Sequence, residues 1–474
     1  MILFDFINDE APLFSEGITL LCKKHGFKKN NFAIITMGNR WDSFFKDFNQ
    51  FSMTDFFEDL DKIKINIDDE LKRIGLEYST QNLFGSDRLL IQYDTKFHKK
   101  IVVYTFLFYE NICKKNDITH YFTTGIAYMY NLASYAVCKK YNIKHISFYD
   151  IRNPYEKRTA VSYDIFNNFN EVNKEYEKYN KEDVTEEMLK KIKDFCTKPA
   201  QPTYMNNLTN KQNINFILLR EFVIRFKRFY LKRKTPYDYF TRNPFSLSFY
   251  KLKKIFLARL ISLKEKNIFH TVDMEEDDYF LYPIHMQPEA STLILAPYHV
   301  DQLSTIINIS KTIPLGTYLY VKEHKSALGE RFMSFYNELK KYPNIKLVSH
   351  KENIFDLIKN AKGIITLSST VGWEALFFKK PVIVMGNVFY NSTGLTLRAN
   401  SYSEVQKLVN DIYLGNYTIK DDFEYKLAFF VNALLSKSYP FEFNVYKMDI
   451  TERLLNKENI DNFTDCLVFQ IKRR

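Results

Sequence analysis

Short apolar runs of strand length alternate with amphipathic stretches in two separate parts of the chain. In residues 1–150 the pattern predicts strands at residues 32–37, 89–93, 101–109, 118–123 and 145–149, with a helix from about 126 to 140. In the second part it predicts strands at residues 279–283, 316–321, 345–348, 364–367 and 382–385, with helices at 304–311, 329–340, 354–360, 401–414 and 423–435. Repeated strand–helix–strand units predict an α/β fold with a doubly wound parallel sheet in each part.

The segments between and after these parts have a different pattern. Residues 155–215 are polar and, at 171–193, carry charges of mixed sign, which predicts a solvated helical arm. The whole chain of 474 residues exceeds the usual size of one hydrophobic core. We therefore predict a first α/β domain with its arm, a connector, a second α/β domain, and final helices that return to the first domain, at residues 1–215, 216–272, 273–440 and 441–474.

Basic and aromatic residues are concentrated in the connector. Between Arg220 and Lys264 there are thirteen Lys and Arg against Glu221 and Asp238, so this segment alone equals the net charge of +11 of the whole chain. Its pattern predicts two amphipathic helices separated by residues 235–243. Three interpretations remain open: a connector whose basic stems cover a core, a helix pair on an anionic membrane, or a nucleic-acid surface. Because each Lys or Arg contributes about 1 kcal/mol at an anionic membrane, we favour the first two equally over nucleic acid.

Composition narrows the cellular setting. The five cysteines are scattered without a CxxC pair, which argues against a disulfide framework or zinc site and favours a reducing compartment. The first ten residues carry acids where a signal peptide needs bases. No apolar run approaches the roughly 18 residues of a membrane span. We expect a cytoplasmic protein.

A hydroxyl-rich turn between two strands of the second part is the first candidate site. Ser368, Ser369 and Thr370 stand where a strand ends and a helix begins. Three hydroxyls, free backbone N–H groups and the positive end of a helix dipole suit a phosphate. Glu374, one turn further, could accept hydrogen bonds from a ribose diol. An ordinary turn in which Ser and Thr cap the helix explains the same residues equally well.

Other polar residues follow neighbouring predicted strands of the second part. They are His285, Gln287 and Glu289 after one strand, Lys322 and His324 after the next, and Arg331 in the helix that follows. Strand ends on the same edge of a parallel sheet are neighbours, so these groups should converge with the hydroxyl turn. Lys322 and a protonated His324 would neutralise a phosphate. Taken singly, a His at such a position is more often a cap or a core residue.

Three residues are candidates for a general base. Glu289 is favoured, with His285 and Asp150 as rivals, although a helix first-turn carboxylate explains Glu289 equally well. Asp150 and Arg152 follow a predicted strand of the first domain, where a capping Asp beside a surface Arg is the alternative interpretation. On the same domain, an earlier strand ends in Gly38 and Arg40.

Four motifs resemble bacterial capsule polysaccharide synthesis glycosyltransferases, a group that includes transferases of 3-deoxy-manno-octulosonate (Kdo) from its CMP-linked form. They are Tyr-Pro-Ile-His-Met-Gln-Pro-Glu-Ala-Ser-Thr at 282–292, Val-Lys-Glu-His at 321–324, Ser-Ser-Thr-Val-Gly-Trp-Glu-Ala-Leu at 368–376 and Lys-Pro-Val-Ile-Val-Met-Gly at 380–386. The resemblance covers about 279–400. It implies a GT-B fold, in which two Rossmann-like domains face each other across a cleft.

The resemblance also implies roles for particular residues. His324 and residues 368–370 would bind the donor phosphate, Glu374 would hold the ribose, and the first domain, with Gly38, Arg40 and Arg152, would form the acceptor side. Lys325 stands where the family motif usually has Pro, which puts the rigidity of that turn in doubt and adds a cation.

The activity implied is transfer of a sugar from a nucleotide-sugar donor, with a CMP-linked acidic sugar such as Kdo favoured, to a saccharide or lipid-linked acceptor. We expect no metal cofactor, no nucleic-acid partner, and an anionic membrane surface at residues 220–264 that places the enzyme at the inner face of the membrane. The alternatives are a transferase using another nucleotide sugar, a nucleotide-sugar epimerase on the same fold, and a non-catalytic scaffold of a capsule assembly complex.

Overall fold

The computed structural model describes residues 1–5, 11–38, 42–79, 83–151, 156–199, 222–233, 235–443 and 454–473. Two six-stranded sheets organise them. The first sheet has the order β3-β2-β1-β4-β5-β6, and all its strands are parallel except β6, which pairs antiparallel with β5. Its strands are β1 Ile2–Asp5, β2 Phe32–Thr36, β3 Asn49–Ser52, β4 His120–Thr124, β5 Lys144–Asp150 and β6 Thr159–Ser162.

The second sheet has the order β12-β11-β10-β7-β8-β9 and is parallel throughout. Its strands are β7 Tyr279–Pro283, β8 Tyr318–Lys322, β9 Ile345–Val348, β10 Gly363–Thr366, β11 Val382–Val384 and β12 Leu397–Arg398. Successive strand residues alternate between two apolar clusters: Leu281 and Ile364 pack on one face, Tyr282 and Ile365 on the other. Both faces are therefore covered, as in a doubly wound sheet. The α/β fold class with two such domains is confirmed.

The helices follow the strands in chain order. In the first 200 residues they are α1 Ala11–His25, α2 Asp42–Phe45, α3 Met53–Asp61, α4 Ile67–Tyr78, α5 Thr95–Lys115, α6 Met129–Lys140, α7 Asn170–Tyr176 and α8 Glu186–Thr197. A π-helical segment, Lys227–Lys232, precedes α9 Pro244–Leu263 and α10 Glu265–Ile268. The remaining helices are α11 Ala290–Leu293, α12 Gln302–Ser310, α13 Met333–Leu339, α14 Ile354–Asn360, α15 Thr370–Phe377, α16 Tyr402–Tyr413, α17 Phe423–Lys437 and α18 Lys457–Lys472.

Two strand predictions of the first domain are wrong: a 3-10 turn, Leu90–Gln92, lies where a strand was predicted at 89–93, and helix α5 contains residues 101–109. Its N-terminus is fixed by Asp94, whose side chain accepts a hydrogen bond from the backbone N–H of Phe97 at 2.8 Å. Residues 101–106 are all buried, so the helix is apolar around its circumference there and shows no amphipathic period. The central strand β1 was missed because its four residues are too few for a periodic signal.

The predicted solvated arm is also wrong, because α7 and α8 pack against α17 of the second domain. Phe195 lies 4.5 Å from Phe377 between ring centroids, and Tyr176 lies 5.2 Å from Phe430. One face of the arm is thus part of the hydrophobic core. The mixed charges seen in the sequence lie on its other, exposed face.

The last helix crosses in the opposite direction. Helix α18 packs against α1 of the first domain, where the Phe463 ring lies 4.9 Å from that of Phe14. Gly17 permits this approach, since a Cβ there would lie 2.4 Å from the Phe463 ring. The helix predicted at about 441–456 falls mostly outside the described residues. Among the helices that the structure describes, none is long and apolar enough to cross a bilayer.

Candidate functional site

The carboxyl ends of β10, β7 and β8 are neighbours, and they bring the predicted polar residues of the second domain together. The backbone N–H of Ser368 donates to Nε2 of His285 at 3.1 Å, which joins the hydroxyl turn after β10 to the end of β7. The Ser368 hydroxyl donates to the carbonyl of Ser291 at 2.6 Å, which ties the turn to the segment containing Glu289. We call this edge the hydroxyl edge.

His285 is fixed in one orientation and one protonation state. Its backbone N–H donates to Gln302 Oε1 at 2.7 Å, and Gln302 Nε2 donates back to its carbonyl at 2.8 Å. Because Nε2 accepts from Ser368, the neutral ring carries its proton on Nδ1. Burial, reinforced by the nearby His324 and Arg331, lowers the pKa of His285 to about 3. No basic nitrogen remains free, so the geometry argues against His285 as the general base.

The Nδ1 atom of His285 is buried and has no hydrogen-bond partner among the described residues. A buried donor without a partner costs free energy.

Arg331 belongs to a buried ion pair that sequence reasoning missed. Its Nη1 donates to Glu323 Oε1 at 2.8 Å and its Nη2 to the carbonyl of His285 at 2.7 Å, while the Tyr336 hydroxyl donates to Glu323 Oε2 at 2.6 Å. The two charged side chains are only 10% and 1% exposed. Arg331 thus joins the ends of β7 and β8. The sequence analysis instead predicted that Arg331 would contact the phosphate of the nucleotide-sugar donor. A buried acid between Lys322 and His324 was the available signal.

His324 and Lys322 differ from the expected pair of cations. Nδ1 of His324 accepts from the N–H of Ser326 at 3.2 Å, so Nε2 carries the proton of the neutral ring. Burial lowers the pKa of His324, which favours the neutral form near pH 7 rather than the expected imidazolium. Lys322 Nζ donates to the carbonyl of Ser349 at 3.1 Å, on the β9 side of the sheet, and burial lowers its pKa to about 8. Lys322 therefore lies apart from the turn after β10.

Within the hydroxyl turn, capping and ligand binding can coexist. Ser369 caps α15, since its Oγ accepts from Val371 N at 2.9 Å, and the Tyr390 hydroxyl donates to the Ser369 carbonyl at 2.6 Å. The helix passes so close to that tyrosine that a Cβ on Gly372 would lie 2.5 Å from its hydroxyl. The N–H and hydroxyl of Thr370, by contrast, have no partner in the described part of the chain. They remain available at the positive end of the helix.

Glu374 and Gln287, which the sequence analysis placed at the nucleotide-sugar donor, have half-buried side chains. Glu374 lies one turn into α15. The pKa of Tyr390 is raised, first by the burial of the tyrosine and second by the charge of Glu374. Gln287 donates through Nε2 to the carbonyl of Val300 within its own domain.

Glu289 lies where the two domains meet. The helix that follows it, α11, contributes Leu293 to an apolar cluster with Ile126, which comes directly after β4 of the first sheet. Ser291 Oγ donates to Glu289 Oε2 at 3.2 Å. Arg88 lies across the junction. Burial lowers the pKa of Arg88, but Tyr128 and then the Glu289 carboxylate raise it by more, so the net shift is upwards. Sequence reasoning missed Arg88, which directly precedes the stretch at 89–93 interpreted as a strand.

The acceptor-side predictions are only partly described. Gly38, two residues after β2, has φ +72°, and a Cβ there would lie 2.8 Å from Oδ2 of Asp238 in the connector. Asp150 is the half-buried last residue of β5. Arg40 and Arg152 lie outside the described residues. Over the described ranges, no group of three His, Cys, Asp or Glu side chains is placed to hold a metal ion.

The resemblance seen in the motifs is confirmed by a family model. Residues 242–412 match the family described as Capsule polysaccharide biosynthesis protein. The Capsule polysaccharide export protein KpsS of Escherichia coli is 32% identical over 97 residues. That alignment covers 20% of this chain and 25% of the relative, so the chain spans about a quarter of its length.

Solved structures with a similar fold include two kinds of enzyme. The beta Kdo 2,7 transferase domain of Thermosulfurimonas dismutans KpsC matches with a TM-score of 0.33 and 14% identity, over 80% of this chain and 98% of the other. UDP-GlcNAc 2-epimerase from Methanocaldococcus jannaschii matches with a TM-score of 0.27 and 15% identity, over 92% of this chain and 98% of the other. At these TM-scores we base no statement about activity on either structure.

Proposed function

We propose that the protein is a glycosyltransferase of capsule polysaccharide biosynthesis that takes its sugar from a nucleotide-sugar donor. One observation carries this proposal: the N–H and hydroxyl of Thr370 at the start of α15 have no partner among the described residues, on the edge that also holds His285 and His324. Neutral hydrogen-bond donors at one edge suit a phosphate whose charge increases as the glycosyl bond breaks. The match of residues 242–412 to the capsule family supports the same activity.

We propose the following chemical step. The Glu289 carboxylate takes the proton of an acceptor hydroxyl, and the oxygen forms a bond to the anomeric carbon of the donor sugar. The bond between that carbon and the phosphate oxygen breaks, and the nucleotide leaves with the electron pair. Thr370 and His324 would stabilise the leaving phosphate, because their N–H and O–H groups are already oriented.

We favour a CMP-linked acidic sugar of the Kdo class as the donor. Lys325, in place of the Pro usual in the family motif, adds a cation beside His324. A thermal-shift screen against CMP, UDP and GDP tests this preference, since a ligand at 100 times its dissociation constant adds about 2.7 kcal/mol of stability. We expect the largest shift with CMP. A larger shift with UDP or GDP would replace CMP, and no shift with any of the three would contradict the donor site.

Product analysis separates the candidate activities. With the preferred donor and membranes of capsule-producing cells, a transferase releases nucleotide only when acceptor is present. Release or epimerisation of the sugar without acceptor would favour the epimerase. A scaffold would show no donor turnover, and Glu289→Gln and His324→Ala would leave capsule assembly unchanged.

We also propose that α9 holds the enzyme against an anionic membrane, where lipid-linked acceptors would lie. Its exposed apolar side chains are 56–84% accessible and fall on one face, at Phe245, Phe249, Leu252, Phe256 and Leu263. The same helix carries four basic residues and no acid. A second copy of the helix would bring like charges together, whereas an anionic lipid surface complements them.

Co-sedimentation with vesicles tests the membrane proposal. Phe249→Ser with Phe256→Ser should abolish pelleting with vesicles containing phosphatidylserine, and neutral vesicles should bind weakly at physiological salt. Leu76→Ser, an exposed apolar residue of the first domain, is the matched control. Pelleting of the double variant as efficiently as wild type would refute this surface.

A further inference from the structure

The turn that carries His324 is short and has few hydrogen bonds of its own. It begins as a single 3-10 turn, Lys325–Ala327, in which the backbone N–H of Ser326 donates to Nδ1 of His324 at 3.2 Å. The N–H of Glu330 donates to the carbonyl of Ala327 at 2.9 Å. No proline restricts the backbone of this segment, which we call the His324 turn. Because 3-10 hydrogen bonds have poor geometry, the position of the turn depends on what packs against it.

Helix α9 of the connector packs against the His324 turn through two polar side chains. Lys254 Nζ donates to the carbonyl of Ser326 at 2.9 Å and forms an ion pair with Glu330. The Tyr250 hydroxyl donates to the other carboxylate oxygen of Glu330. The Lys254 side chain is 30% exposed and that of Glu330 is 12% exposed, so salt screens this pair less than a pair on the surface. Lys254 therefore contacts the turn at two points, its middle and its end.

The backbones of α9 and the His324 turn also meet, at Gly329. This glycine has φ +85°, and a Cβ there would lie 2.2 Å from the carbonyl oxygen of Lys254 and 2.9 Å from the backbone nitrogen of Ala258. Only a residue without a Cβ allows this approach. Helix α9 is itself fixed to the second domain, because its Ile261 is buried in the apolar cluster that contains Tyr282 of β7. The turn therefore rests against a helix that is anchored in the core.

Ser326 connects α9 to the imidazole ring of His324. Its carbonyl accepts a hydrogen bond from Lys254, and its N–H donates to Nδ1 of His324. A ring nitrogen that accepts a hydrogen bond does not carry the proton of the neutral ring, so that proton lies on Nε2. Only in this form can Nε2 donate to a phosphate oxygen. If Ser326 moved away, Nδ1 would compete for the proton and the ring would lose its fixed orientation.

We propose that Lys254 and Glu330 are positioning residues for His324: they hold its turn against α9 and so keep the ring in the form that donates to the donor phosphate through Nε2. The inference rests on the proposed function in one respect, which is the contact between His324 and the donor phosphate. Both residues act through His324, and neither is assigned a contact with the donor. The connector thereby gains a role in the donor site that does not depend on a membrane.

Calorimetric titration of CMP in the absence of vesicles tests the positioning role. Lys254→Met keeps the apolar stem of the side chain and removes the ammonium group, so the dissociation constant should rise roughly five-fold. Lys254→Arg should restore part of the affinity, because a guanidinium can also donate to the Ser326 carbonyl and to Glu330. Arg259→Met, at an exposed position of the same helix, is the matched control and should bind CMP like wild type. Wild-type CMP affinity in Lys254→Met would overturn the proposal.

A double-mutant cycle shows whether Lys254 acts through His324. In a His324→Ala background, Lys254→Met should cause no further loss of CMP affinity. In a Thr370→Val background, by contrast, the full effect of Lys254→Met should persist, because Thr370 binds the phosphate independently of the His324 turn. If Lys254→Met weakens CMP binding in His324→Ala as much as in wild type, its effect does not pass through His324 and the proposal is overturned.

Nitrogen-15 NMR of protein labelled at histidine tests the same role without a nucleotide, at a pH above the ordinary histidine pKa of about 6.5. The wild-type His324 ring should carry its proton on Nε2 alone, and Lys254→Met should show a mixture of both tautomers. If CMP binds no form of the protein but this mixture appears, the donor proposal fails and the hold of α9 on His324 stands. A single Nε2 tautomer in Lys254→Met would overturn the positioning role, whatever the CMP affinity.

Discussion

The carboxyl edges of the two sheets carry polar groups of opposite kinds. The hydroxyl edge of the second sheet offers neutral donors, and its one buried arginine, Arg331, is satisfied by Glu323. Across the domain junction, Arg88 donates to the Tyr128 hydroxyl, and Tyr128 and then the Glu289 carboxylate raise the pKa of Arg88. Neutral, fixed donors suit a phosphate whose charge grows during the reaction. The second sheet thus offers neutral donors, whereas the facing side of the junction offers a cation whose charge is stabilised by its neighbours.

The largest expected effect is on the rate, at the junction of the two edges. Glu289→Gln keeps the shape of the side chain but removes the base, so turnover should fall roughly 10²–10⁴-fold. Nucleotide release measured with donor and acceptor membranes checks this, with CMP affinity unchanged. Glu276→Gln, an exposed acid before β7, is the control. Wild-type turnover by Glu289→Gln would move the base elsewhere, with Asp150 the remaining candidate.

Acid should destabilise the protein through its buried neutral histidines. In the folded protein the pKa of His285 is about 3, below the ordinary 6.5, mainly because the ring is buried. Burial also lowers the pKa of His145, a residue of β5, to about 3. As the pH falls from 6.5 towards 3, the unfolded chain binds these protons first, so each histidine removes roughly 4 kcal/mol across that window. Above pH 6.5 this contribution to stability is complete.

Variants of the two histidines distinguish the regions. His145→Phe and His285→Gln should both flatten the acid limb of the unfolding free energy measured against pH. Only His285→Gln should also weaken CMP binding, because His285 accepts a hydrogen bond from the Ser368 N–H and so holds the hydroxyl turn in place. Equal CMP affinity in both variants would show that His285 has no part in the donor site.

The arginines of the two edges should respond oppositely to neutralisation. Arg331→Met leaves Glu323 buried without its partner and should lower the free energy of unfolding by about 3 kcal/mol. Arg242→Gln removes a charge whose pKa is lowered by burial and by the charge of Arg88, so it should leave that free energy unchanged or higher. Urea denaturation measures both, with Lys62→Met in the exposed pair with Asp59 as a control that should leave the free energy of unfolding essentially unchanged. Comparable destabilisation by both substitutions would contradict the comparison.

Much of the second domain could be predicted from sequence, since apolar runs bounded by turn residues locate β7 to β11. The same signal failed for α5, because a helix buried around its circumference and a buried strand have the same hydrophobicity. Convergence of His285 with the hydroxyl turn followed from the rule that parallel strand ends are neighbours. The Lys322 side chain points towards β9, where it donates to the Ser349 carbonyl. The rule about strand ends predicts which residues are neighbours, but it does not predict the direction of a side chain, which depends on packing.

The residues missed at the site are those whose role depends on contacts between distant segments. Glu323 acquires its role from Arg331 and Tyr336, and Arg88 from Tyr128 and the opposite domain. Glu323 is marked only by its place between Lys322 and His324, and Arg88 has no sequence neighbour that marks it. The protonated state expected for His324 failed for a related reason, since burial sets its pKa and burial is a tertiary property.

Calorimetric titration of CMP into Thr370→Val tests the central claim most directly. The substitution keeps the shape of the side chain and removes the hydroxyl at the start of α15. If the hydroxyl edge binds the donor phosphate, the dissociation constant should rise roughly ten-fold, while Thr119→Val, at an exposed position before β4, should bind like wild type. Equal CMP affinity in wild type and Thr370→Val would contradict the assignment of the donor phosphate to this edge.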